Sequence, residues 1–82
     1  MNILVRTPLK AEDIKQLLDG NSYDGYTFSF IKKTGIDMEF ETTGEGVKDP
    51  VNVVKSVIRG TDYGSALYFS VVKNRDEQNK LE

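Results

Sequence analysis

Apolar and polar residues alternate along this chain with two different periods, and the switches between them mark its elements. Asn2 to Arg6 (NILVR) carries Ile3, Leu4 and Val5 in a row, which predicts a first strand buried on one face and partly covered on the other. Ala11, Ile14, Leu17 and Leu18 then recur at helical spacing, with Glu12, Asp13, Lys15 and Gln16 opposite them. Thr7-Pro8 supplies a capping hydroxyl and a fixed φ for the start of that helix, and Gly20 a left-handed stop. From Tyr26 to Lys32 the alternation has period two, with Tyr26, Phe28 and Phe30 against Thr27, Ser29 and Ile31. A third strand sets Ile36, Met38 and Phe40 against Asp37, Glu39 and Glu41, so one of its sides is acidic.

The register of this hairpin decides what the outside of the sheet presents, because a slip of one residue exchanges the faces. A two-residue Thr34-Gly35 turn would set aromatic rings among carboxylates. A three-residue loop of Lys33, Thr34 and Gly35 keeps like with like: Phe28 faces Phe40, Phe30 faces Met38, and Ser29 faces Glu39. The second arrangement is the expected one.

A loop from Gly44 to Lys48 leads to Asp49-Pro50, which repeats the cap-then-proline device. A second helix follows to about Arg59, with Val51, Val54, Val57 and Ile58 inward and Gly60 at its end. Ala66 to Lys73 (ALYFSVVK) reads as the last strand, with Leu67, Phe69 and Val71 inward. Residues 74–82 (NRDEQNKLE) form a polar tail, frayed or a short helical turn, and the closing Leu81-Glu82 is compatible with residues appended for expression.

Two segments echo each other: IKQLLDGNSY from Ile14 to Tyr23, and VKSVIRGTDY from Val54 to Tyr63. Strand, helix and strand therefore occur twice, in the order β-α-β-β-α-β. This resembles the split βαβ, or ferredoxin-like, architecture. It implies an α+β two-layer sandwich over residues 1–73, a single domain with an antiparallel sheet ordered 4-1-3-2, both helices on one face, and an approximate twofold between halves. Tyr23 and Tyr63 are expected to pack where each helix turns into the next strand.

Length and composition narrow the choice of function. Eighty-two residues allow one core, and 38% apolar residues suit an ordinary folded domain. Without cysteine or histidine, the chain lacks thiolate chemistry, the commonest general base and the commonest transition-metal ligand. The expectation is a non-enzyme with no cofactor. No run approaches the length that spans a bilayer, so the expected location is cytoplasmic with no membrane partner. A net charge of −2 gives no field toward a polyanion.

Two loops come close to ligand motifs and miss. DGNSYDG, from Asp19 to Gly25, has Tyr23 and Asp24 where a calcium loop needs an oxygen ligand and a glycine. GEGVKD, from Gly44 to Asp49, lacks the third glycine of a dinucleotide fingerprint and puts a carboxylate where a phosphate would sit. On the outer sheet face, Asp37, Glu39 and Glu41 lie beside Arg6. They suggest a site for a cationic peptide, a hard-metal or catalytic carboxylate site, or simply a solvated face with a cross-strand ion pair. Carboxylates where RNA-binding domains of this shape stack bases argue against nucleic acid. Thr7-Pro8 leaves no phosphate cradle of the acylphosphatase kind, and the CxxC pair of thiol metal carriers is absent.

What remains is a surface of mixed apolar and acidic groups: Leu4, Arg6, Ile31, Asp37, Glu39, Glu41, Tyr68 and Val72. The expected function is a small non-catalytic interaction or regulatory module, a candidate homodimer, acting through the open sheet face or a sheet edge on a protein partner or a second copy. The alternative is a dimeric small-metabolite sensor resembling amino-acid-binding regulatory domains. Its first strand-to-helix turn lacks the glycine such a domain would use.

Overall fold

β1 (Asn2–Arg6) has a strand on either side of it, and the rest of the chain is arranged around that fact. In a computed structural model that describes residues 1–74, it is followed by α1 (Ala11–Leu18), β2 (Ser22–Tyr23), β3 (Tyr26–Thr34), β4 (Asp37–Gly44), α2 (Pro50–Arg59) and β5 (Ser70–Lys73). The strands pair antiparallel in the order β2-β3-β4-β1-β5. The polar tail and Leu81-Glu82 lie outside the described residues beyond Asn74. No helix among the described residues is long and apolar enough to cross a membrane.

This sheet corrects the expected ferredoxin-like sandwich ordered 4-1-3-2. It has five strands, counted 2-3-4-1-5, and it curls into a half-barrel. The helices are not laid together on one face of a flat sheet: α1 packs toward β3 and α2 against β5, at opposite ends of the strand order. The added strand arises from Asp24-Gly25. Both residues have positive φ, 51° and 91°, and they join Tyr23 to Tyr26 as a two-residue hairpin turn. Asp-Gly suits such a turn because its twist matches that of the flanking strands. The expected twofold also fails in detail. Gly20 is left-handed at φ 76°, whereas Gly60 is not, at φ −78°, and no counterpart of β2 follows α2.

The β3–β4 hairpin departs from the expected three-residue loop and its register: Phe28 faces Thr42, not Phe40, and Phe30 faces Phe40, not Met38. Its turn is Gly35-Ile36, with Gly35 at φ 61°, between the paired residues Thr34 and Asp37. A glycine in the first turn position with positive φ is the type II′ arrangement. Carried on unbroken, this register would set Phe30 opposite Glu41. A bulge between Phe30 and Lys32 absorbs one residue, so Phe30 faces Phe40 and Ser29 faces Glu41. Phe30 and Phe40 meet edge to face at 5.6 Å, and the Lys15 ammonium sits 4.4 Å from the centre of the Phe30 ring.

Inward positions alternate as the pleat requires. Ile3, Val5, Phe28, Met38, Phe40 and Val71 from the sheet join Ile14 and Leu18 of α1 and Val53, Val54 and Ile58 of α2 in one buried cluster. Val53 replaces Val51 and Val57 among the fully buried positions of α2, and those two are half-buried instead. Thr7-Pro8 does not cap α1. The Thr7 hydroxyl donates to the Leu9 carbonyl at 2.5 Å, and the helix begins after Lys10, which takes a left-handed φ of 63°. The last strand is also shorter than the expected Ala66 to Lys73. Turns occupy the chain after α2, Leu67 and Phe69 are half-buried outside any strand, and only Ser70–Lys73 pairs with β1.

The Thr42 hydroxyl is buried on the inner side of β4 with no hydrogen-bond partner among the described residues. An unpaired buried hydroxyl costs roughly 1–3 kcal/mol, and Val has nearly the same shape without it. Thr42→Val is therefore expected to raise stability by about 1 kcal/mol, read as a higher urea midpoint at unchanged m. A lower midpoint would mean that the hydroxyl is satisfied.

Asp49 caps α2 as expected, its carboxylate accepting the Val51 N–H at 2.9 Å. That bond is the main reason its carboxyl lies below the usual range. Partial burial opposes it, and Lys73 and Lys55 add to it. With the folded pKa depressed, the unfolded chain takes up the proton first, so the contribution is whole above the ordinary carboxylate pKa and fades as pH falls through the folded one. Asp49→Asn keeps a capping oxygen but does not titrate. Thermal melts between about pH 2 and pH 7 should show a shallower acid limb for the variant, and parallel limbs would refute this assignment.

Candidate interaction surface

The outer sheet face is ordered in rows across the strands. Lys32 pairs with Glu39, Glu39 with Leu4, and Leu4 with Val72. The neighbouring row runs Thr34, Asp37, Arg6, Ser70, and the next Ser29, Glu41, Asn2. Alternation puts all of these on the side away from the buried cluster, since their neighbours Ile3, Val5, Met38, Phe40 and Val71 are buried.

Within these rows, neighbours engage two of the carboxylates. Arg6 grips Asp37 with a two-pronged contact, Nε to Oδ1 at 2.6 Å and Nη2 to Oδ2 at 3.1 Å. This hydrogen bond is the main cause of the Asp37 carboxyl lying below its ordinary range, and it raises the Arg6 guanidinium correspondingly. Glu39 Oε2 accepts from Asn2 at 2.7 Å and from Asn74 at 2.9 Å. A groove of about 260 Å³ on this face is lined by Leu4, Lys32, Thr34, Asp37, Glu39 and Asn74. Among the described residues, no group of three or more acidic side chains gathers as it would around a metal ion.

Of the residues expected on this surface, Leu4, Arg6, Asp37, Glu39, Glu41 and Val72 lie together. Ile31 sits at the β3 bulge instead. Tyr68 precedes β5, is 87% exposed, and lines a separate cleft with Arg59, Gly64, Ser65, Leu67 and Phe69. Asn2 lies on the face too; Lys32, Thr34 and Asn74 complete it and were not among the expected residues. Lys32 and Thr34 appear there only because the bulge shifts the chain beyond it by one position.

The two sheet edges differ more than the faces. Along β3, backbone and side chains of the α1–β2 connection cover the edge. Gly20 N–H donates to Phe28 O at 2.7 Å, Phe28 N–H to Asn21 O at 3.0 Å, and Phe30 N–H to the Asp19 carboxylate at 2.9 Å. Beyond these lie the bulge, Lys32 and Lys33, features that blunt an edge against pairing.

β5 is the last strand at the other end of the order. The Asn74 N–H donates to Asn2 O at 2.9 Å, which fixes the phase of the ladder. In an antiparallel pair, alternate residues turn their backbone groups toward the neighbouring strand, so Val72 and Ser70 share the direction of Asn74. Val71 and Lys73 then turn N–H and C=O away from β1, toward the open side. Beside that edge is a groove of about 360 Å³ lined by Asp49, Val51, Asn52, Val72 and Lys73. The Lys73 ammonium lies 3.3 Å from Asp49 Oδ2. A search of family models, curated proteins and solved structures finds no match to this chain.

Proposed function

We propose that the protein is a non-catalytic interaction module that takes up an extended polypeptide segment along β5. The observation that carries this reading is the outward phase of the Val71 and Lys73 backbone groups, on an edge that, among the described residues, lacks the cover given to β3. Strand addition draws its affinity from main-chain hydrogen bonds and its selectivity from side-chain pockets at alternate positions. Here the groove between β5 and the first turn of α2 is such a pocket, and exposed Val72 with Leu4 forms the apolar part of the outer face. The partner class is protein rather than nucleic acid, because Asp37, Glu39 and Glu41 on the same face repel phosphates.

A displayed library of unstructured peptides provides the test. Lys73→Pro removes an outward N–H while leaving the β1–β5 ladder its donors, and Lys73→Ala is the control for the lost side chain. Selected peptides should shift the Val71 and Lys73 amide resonances, bind the alanine variant normally, and bind the proline variant about tenfold or more weakly. Peptides indifferent to the proline, or a library that yields none, would overturn the reading.

A further inference from the structure

Arg59 ends α2, and the chain that follows folds back so that Tyr68 and Phe69 line one cleft with it. Its guanidinium lies 5.9 Å from the centre of the Phe69 ring, which holds the charge at the cleft without consuming its hydrogen bonds. Arg6 is paired with Asp37 and Lys73 with Asp49, but among the described residues Arg59 makes neither an ion pair nor a side-chain hydrogen bond. Its N–H groups, a planar fork suited to a carboxylate, are left to solvent. We infer that this cleft binds a small aromatic monocarboxylate, with its ring against Tyr68 and its carboxylate on Arg59.

Charge selects the class of ligand. Arg59 is the one charged residue lining the cleft, and Asp62, the nearest carboxylate along the chain, is not part of that lining. A lone cation matches a lone negative charge. The last carbonyls of α2, which carry partial negative charge, weigh further against a dianion such as a phosphate ester. Shape selects the rest. Leu67 and Phe69 are half-buried against the core and give the cleft an apolar floor, while Tyr68, 87% exposed, keeps a ring free for a second ring to cover. The cleft holds about 360 Å³, the low end of the volumes that small-molecule sites occupy. The exposed Ser65 hydroxyl on its rim can donate to the second carboxylate oxygen. This cleft shares no lining residue with the groove beside β5, so the inference stands apart from the strand-addition reading.

The test is an amide-resonance titration of the full chain with phenylacetate, with circular dichroism to show that each variant is folded. Phenylacetate should give saturable shifts at Ser65, Leu67, Tyr68 and Phe69, with the millimolar affinity expected of so small a ligand. Phenylacetamide keeps the ring and loses the charge, so it should bind about tenfold more weakly, and phenyl phosphate should also bind more weakly. Arg59→Gln should weaken phenylacetate about tenfold and Tyr68→Leu about threefold. Lys48→Gln removes an exposed cation from the distant crossover loop and should change nothing. Absence of saturable shifts, shifts centred elsewhere, or binding indifferent to Arg59→Gln would overturn the inference. So would phenylacetamide or phenyl phosphate binding as well as phenylacetate. A tripeptide ending in a free phenylalanine carboxylate distinguishes the source. If it binds more tightly than phenylacetate, with the same dependence on Arg59, the cleft reads a chain terminus and the small-acid inference fails. None of these outcomes bears on the response of selected peptides to Lys73→Pro.

Discussion

Phe28→Ala is expected to leave the chain largely unfolded at ordinary temperature. Phe28 has no exposed surface and sits in the middle of β3, flanked by Tyr23 at 6.4 Å and Tyr26 at 6.5 Å between ring centres. Truncating a buried Phe costs about 3–5 kcal/mol, the lost transfer energy plus the cavity left behind. A domain of this size has a total stability of roughly 5–10 kcal/mol, so the loss takes from about a third to nearly all of it. The same strand carries the contacts that close the β3 edge, since Gly20 N–H and Asn21 O both bond the Phe28 backbone. Urea unfolding followed by far-ultraviolet circular dichroism should give a midpoint shifted far down or no transition. A shift under about 1 kcal/mol would mean that the ring lies outside the core.

Gly64→Ala is expected to be nearly as damaging, for a different reason. After α2 the chain doubles back over the helix end, and a methyl group on Gly64 would lie 1.9 Å from the Ile58 carbonyl oxygen and 2.7 Å from Arg59 Cα. Both obstacles are backbone, so no side-chain rotation relieves the contact. The turn or the last turn of α2 must shift, a disturbance worth about 3 kcal/mol when the surroundings are well packed. Gly64 also lies in the segment that delivers the chain to Ser70, so displacement here should disturb β5 before the rest of the sheet. Amide exchange should show lost protection at Val72 first, with β3 and β4 less affected. Uniform loss, or none, would contradict this.

How far these features could be read from residues alone varied with the physics behind each. The inward row of β4 was legible because Met38 and Phe40 alternate strictly with acids, and α2 because Asp49-Pro50 announces its start. The hairpin register was not, because the Ile31 bulge is decided by where Phe30 and Phe40 can meet, a tertiary matter. β2 was a different miss, since Asp24-Gly25 is among the strongest local hairpin signals and was available in the chain. Alternation in Ala66 to Lys73 overstated β5, because Leu67 and Phe69 pack half-buried against the core from irregular chain that needs no ladder. On the outer face, Arg6 beside Asp37 followed from pattern. The grip of Asn74 on Glu39 did not, because it depends on β5 ending beside Asn2.

The Asp19 carboxylate on the Phe30 amide has a consequence for assembly. A sheet with two sticky margins is a monomer of a polymer, since each newcomer offers the next a landing place and growth has no natural end. Here one margin is occupied by the molecule's own acid and loop. A strand added at β5 would therefore find no matching landing place along the Phe28–Phe30 stretch of β3 at the far side of the sheet.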